Sequence, residues 1–377
     1  MRFFVKFKLV GLVMAIGVAA MLLAGCGCSE AGVGDDDDDN GGGDGGGGGG
    51  GGNNPAGDCE KPFAYGEGVA QYVDGAWIDA TPDVYSTDWR LNDAAWVDCK
   101  ELIFVGHDTD KNEGIALTWD DSAYIVESLP SVSGDWELTA IDSAGDTAVA
   151  VGGDWESGSA VIMTRVKGEW ERVQALPHVS NNWWLTGVSL TGPESGYAVG
   201  LDLERGEPVL MKLDNGDWNT QGPPGEGGIS SYYLYAIAMH DKENGLAVGR
   251  NLNGSKGVVI WMTNGVWHFP VTPGDLGADW DLVDLALSDA DQGILVGRRF
   301  DTSTGIVLEF DNGPLRSMPL PDLADEWTLN GAAIDKETML VCGYEEELGE
   351  GFILRYENDE WIIDGRLPFK TTGIISG

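Results

Sequence analysis

From about residue 62 onward the chain alternates short apolar runs with polar turns. Nowhere does the apolar pattern take the 3.6-residue period of a helix. The runs recur in sets. An aromatic residue opens each set: Trp89, Trp136, Trp183, Tyr232, Trp280 and Trp327, at spacings of 47, 47, 49, 48 and 47. A second run then ends on glycine, as in LIFVG, VAVG, YAVG, LAVG, ILVG and LVCG, the glycines being Gly106, Gly152, Gly200, Gly249, Gly297 and Gly343. A polar loop follows, then a third run such as PVLMKL or GIVLEF, a tight turn such as NGDW or NGVW, and a fourth run. Asn-Gly between apolar runs predicts a hairpin, because both residues accept the positive φ of a type I′ turn.

Four hairpin-linked strands with a period in the forties predict an all-β propeller. Two end segments bear on the number of blades. Residues 68–82 (GVAQYVDGAWIDATP) read as third and fourth strands, with Trp77 in the turn position. Residues 369–377 (FKTTGIISG) read as a first strand, with Phe369 in the aromatic slot. Joined, they predict a seventh blade of four antiparallel strands shared by the two ends of the chain; six blades capped by the N-terminal strands is the alternative.

The order strand, AVG, loop, apolar strand, NGxW resembles the degenerate Asp-box (BNR-like) propeller repeats of secreted bacterial proteins and the photosystem II assembly-factor type of propeller. The resemblance covers residues 85–377. The nearest Asp-box copy, Lys212 to Trp218, is one residue short and lacks the leading Ser. The resemblance therefore implies the fold and carries over no family function.

The chain begins differently. Arg2, Lys6 and Lys8 precede an apolar run, Leu9 to Leu23, of the length of a secretory signal. It closes on Leu23-Ala24-Gly25-Cys26, which resembles a bacterial lipobox and implies lipid attachment at Cys26. The residue after Cys26 is Gly27, and the absence there of the inner-membrane retention Asp points to the outer membrane or cell surface. Residues 34–54 contain only Gly, Asp and Asn; they bury no apolar area and read as a disordered tether. From Gly27 to Asp58 a random coil spans roughly 30 Å. The expected organisation is a signal peptide over 1–25, lipidated Cys26 and tether over 26–57, and propeller over 58–377. A lipid holds such a protein on a membrane without spanning it.

Charge then narrows the partners. The formal net charge is −40, which makes nucleic acid a poor partner. An exported compartment permits disulfides, and Cys59 and Cys99, at the start of the fold, are the candidate pair. Cys342 falls in a repeated core position and reads as a buried thiol.

Candidate sites are few. The slot aromatics Trp89, Trp136, Trp183, Tyr232, Trp280 and Trp327, with the neighbouring Trp184 and Tyr233, are candidates for an aromatic ligand face at the channel mouth; the alternative is a repeated brick between blades. Trp96 and Trp155 are further aromatics outside the slots. Asp108, Asp110 and Asn112 alternate as calcium ligands do, although Gly114 and Trp119 depart from the EF-hand pattern; calcium is the one candidate cofactor. Arg250, Arg298 and Arg299 could hold a carboxylate or pair with neighbouring acids. The four histidines show no metal-ligand spacing, and no nucleophile elbow, phosphate loop or zinc motif occurs.

The reading is a lipid-anchored, non-enzymatic propeller, monomeric, that binds or scaffolds a protein or an extracellular polymer. The alternatives are a glycan-acting hydrolase or lyase on the same scaffold, and a calcium-stabilised adhesin-like module.

Overall fold

The computed structural model describes residues 62–83, 88–222, 231–253, 255–269, 276–277, 279–323, 326–335 and 338–376. Cys26, the tether and Cys59 lie outside the described residues. The described chain forms seven four-stranded antiparallel sheets arranged as a seven-bladed propeller. Blade 1 joins the C-terminal strand Thr371–Ile375 to three N-terminal strands, Phe63–Gly66, Val69–Val73 and Ala76–Asp79. The six-blade alternative is thereby excluded. The second strand of blade 1, Phe63–Gly66, had no counterpart in the sequence reading; Phe63 pairs with Ile375 and Ala64 with Ile374.

Blades 2 to 7 follow in chain order. Their inner strands are Trp89–Asp98, Trp136–Ala144, Trp183–Gly192, Tyr232–Met239, Trp280–Asp289 and Trp327–Asp335. Inner strands of neighbouring blades touch all round the ring. The hairpins between third and outer strands use the predicted turn. Asn215–Gly216 (φ 52° and 84°) and Asn264–Gly265 (φ 51° and 76°) both have the two positive angles of type I′.

Each inner strand carries a bulge at the third residue past its aromatic slot, as between Leu91 and Asp93 or Leu185 and Gly187. The repeated glycine of the second strand lies opposite. A Cβ on Gly106, Gly152 or Gly200 would coincide with the carbonyl oxygen of Arg90, Glu137 or Trp184. This close approach is why that position is glycine in every repeat.

The bulge also turns one side chain towards the next blade. Thr372 Oγ1 donates to Leu91 O (2.6 Å), Asn92 Nδ2 to Leu138 O (2.7 Å), Thr139 Oγ1 to Leu185 O (2.8 Å), Thr186 Oγ1 to Leu234 O (2.9 Å) and Asn330 Nδ2 to Thr371 O (3.0 Å). Five of the seven seams are stitched in this way. At the other two the bulge residue is Tyr235 or Val283, and both join one apolar cluster running from blade 4 to blade 7.

Candidate functional site

Five of the six slot aromatics, Trp136, Trp183, Tyr232, Trp280 and Trp327, are buried. Trp136 lies on Gly114, Trp280 on Gly257 and Trp327 on Gly305, each glycine belonging to the third strand of the preceding blade. Trp136, Trp280 and Trp327 are wedged into gaps that exclude even a Cβ, and Trp183 and Tyr232 are buried as well, so none of the five presents an open ring face. Trp96 is buried as well, its Nε1 donating to Ser376 O at 3.1 Å. Trp89 and Tyr233 are half-buried. Trp184 is buried but lies at the mouth, edge-on to half-buried Trp155.

The calcium candidates are placed in a tied loop. Asp108 is fully buried and ion-paired with Lys111 Nζ at 2.9 Å, and its Oδ1 accepts the Lys111 N–H. Asn112 uses its backbone carbonyl to accept the N–H of Trp136. Among the described residues no group of three His, Cys, Asp or Glu side chains is placed to hold a metal ion. Cys99 is disulfide-bonded, and its expected partner Cys59 lies outside the described residues.

What remains is the channel mouth at the end where the inner strands begin. There the loop leaving each second strand crosses over the start of its own inner strand, and one repeated bond fixes it. Thr109 N donates to Asp88 O, Trp155 N to Asp135 O, Leu203 N to Asn182 O, Leu252 N to Ser231 O, Phe300 N to Asp279 O and Glu346 N to Glu326 O, at 2.7–3.1 Å. The six loops are structurally equivalent, and the residue three past each repeated glycine occupies the same place on the rim.

Blades 5 and 6 add a charge cluster. Arg298 grips the buried carboxylate of Asp281 through Nε and Nη2, at 3.2 and 3.1 Å. Arg250 pairs with Asp279 at 2.8 Å and approaches Asp281 at 3.8 Å. Both guanidinium groups lie over the Phe300 ring, 4.3 and 4.7 Å from its centre. Burial raises the pKa of Asp281, while Arg298 and Arg250 pull it back. Burial also pushes the neighbouring Tyr235 hydroxyl up, so it stays protonated. Arg299 is held by Asp301 through two contacts of 3.1 Å. The three arginines thus follow the ion-pair reading. Phe300, Leu203 and Leu252 were not singled out in the sequence, although aligning the repeats on their glycines would have found them.

No family model matches the chain, and no curated protein matches it. Solved structures similar to it are propellers. YCF48 bound to a D1 peptide is 16% identical, with a TM-score of 0.54, covering 79% of this chain and 88% of that one. YCF48 from Cyanidioschyzon merolae is 15% identical, with a TM-score of 0.52 over 75% and 88%. A putative 6-phosphogluconolactonase from Bacteroides uniformis is 9% identical, with a TM-score of 0.55 over 84% and 98%. At such identities the likeness is one of fold.

Proposed function

We propose that this protein is a lipoprotein whose propeller, tethered through Cys26 at the outer membrane or cell surface, binds and scaffolds a protein partner. One observation carries the reading. On the channel mouth a repeating frame presents side chains that do not repeat. The aromatic slot, the bulge and the glycine recur from blade to blade and serve the fold. The rim positions run Thr109, Trp155, Leu203, Leu252, Phe300, Glu346, and are fixed in space by identical backbone bonds. A rigid surface with its own pattern is what specific recognition uses. The peptide-bound state of YCF48, a propeller of similar fold, supports a polypeptide as the ligand class.

Mild cross-linking of the tagged, lipidated protein on intact cells, read by mass spectrometry, tests this. One dominant, reproducible protein partner is expected, reduced when Cys26→Ser removes the anchor. No partner above background overturns it.

A further inference from the structure

The rim positions are equivalent in backbone but not in chemistry. In blades 2 and 7 they are polar, Thr109 and Glu346. In the four consecutive blades between, they are Trp155, Leu203, Leu252 and Phe300. All four are at least partly open to solvent, Leu252 at 37% and Phe300 at 38%. Tyr233, half-buried, packs with Trp155 and Leu203 against the cluster below. These residues make an apolar crescent along one side of the mouth. Trp155 is braced edge-on by Trp184, and Phe300 by two arginines.

The next residue along each loop is Glu156, Glu204, Asn253 or Asp301, all exposed. The crescent is therefore edged with acid. The arginines on this arc are already committed: Arg205 to Asp202, Arg250 to Asp279, Arg298 to Asp281 and Arg299 to Asp301. Among the described residues no cation pairs with Glu156 or Glu204. Apolar side chains at the equivalent rim position of four consecutive blades mark an interaction surface, and the acids beside them select the sign of the partner.

We infer that the crescent Trp155–Leu203–Leu252–Phe300 is the docking site for a polypeptide segment whose apolar anchors are flanked by lysine or arginine. The inference rests on the protein-binding reading above and names the partner's chemistry. Apolar anchors would seat on the crescent and exclude water; the flanking cations would meet Glu156 and Glu204. Affinity would then fall with added salt, because the charges on the margin stay in solvent.

The test uses the full chain carrying Cys26→Ser, which removes the lipid, and a short fluorescent peptide of alternating lysine and leucine. Lysine–serine and glutamate–leucine peptides serve as controls. The lysine–leucine peptide is expected to bind at least about tenfold more tightly than either control, a difference of about 1.4 kcal/mol. Leu252→Asp should weaken it about tenfold, a typical effect of losing one central anchor. That substitution adds negative charge, so the loss could not be electrostatic. Glu204→Lys should weaken binding and flatten its salt dependence. Both positions are exposed, and an unchanged melting temperature checks the fold; Leu252→Asn is the milder substitute should Leu252→Asp melt early. Equal binding to Leu252→Asp, equal binding of the lysine–serine peptide, or no binding would overturn the inference. A wild-type dimer broken by Leu252→Asp would overturn it too, by assigning the crescent to a second copy. On intact cells, a cross-linked partner retained by Leu252→Asp would remove this site and leave the scaffold reading standing, whereas no partner for the wild type would remove that reading itself.

Discussion

The Thr139 hydroxyl donates a 2.8 Å hydrogen bond to the backbone carbonyl of Leu185, across the seam between blades 3 and 4. The same bond recurs at four other seams. Its donor is always the residue that the bulge pushes out of the ladder, so a local irregularity of the strand becomes the fastener of the ring.

Replacing Thr139 by Val keeps the shape and removes the donor. A buried carbonyl left without its partner costs about 1–3 kcal/mol. Thr139→Val is expected to lower stability by that amount in a denaturant titration with an unchanged m-value. The reverse substitution at an unstitched seam, Val283→Thr, should cost less than this or stabilise.

Asp142 is half-buried, and loss of solvent around its carboxyl raises its pKa to about 6, against the opposing bonds from the Leu190 and Ser143 backbone N–H groups and the Ser189 side chain. A carboxyl that holds its proton more tightly when folded than when unfolded stabilises the fold as pH falls. From pH 7 to pH 5 this group alone should add about 1.4 kcal/mol, one pKa unit's worth. Below the carboxyl's ordinary range the increment stops growing. Asp93 has the same sign, since its burial also raises its pKa. Melting curves at pH 5 and pH 7 should show wild type gaining over Asp142→Asn on acidification. A difference that does not change with pH would contradict the assignment.

Blade 1 closes the ring with the last strand of the chain. Ending the chain after Lys370 removes Thr371–Ile375, the bond from Trp96 Nε1 to Ser376 O, and the stitch from Asn330 to Thr371 O. The truncated protein is expected to lose its single cooperative thermal transition, followed by circular dichroism. Melting within a few degrees of the full chain would mean that the terminal strand does not hold the ring.

Cys342 is fully buried, and burial pushes its thiol pKa up, with the Asp284 carboxylate adding to the effect. The thiolate is the reactive form. Iodoacetamide should therefore leave Cys342 unmodified in the native protein and label it at the rate of global unfolding, as read by mass spectrometry of the tryptic peptide. Rapid labelling under native conditions would show local opening of blade 7.

The sequence by itself determined the repeat and its hairpins, because these rest on short-range chemistry; the composite blade was one of two closures it left open, decided by the pairing of Phe63–Gly66 with Thr371–Ile375. Asn215–Gly216 makes its turn wherever it stands, and a period of 47–49 residues fits one four-stranded blade. The buried fate of Trp136 and Trp280 was one of two readings open in the sequence. It was settled by the space above Gly114 and Gly257, which only adjacent blades define. The arginines were visible too, but their partners Asp279 and Asp281 come from the neighbouring strand and blade. The apolar rim was legible as an aligned column, yet the column says nothing about which way it faces. Tertiary structure decided that, through backbone bonds such as Phe300 N to Asp279 O, which lay each loop across the mouth and put the four apolar residues at equivalent rim positions of consecutive blades.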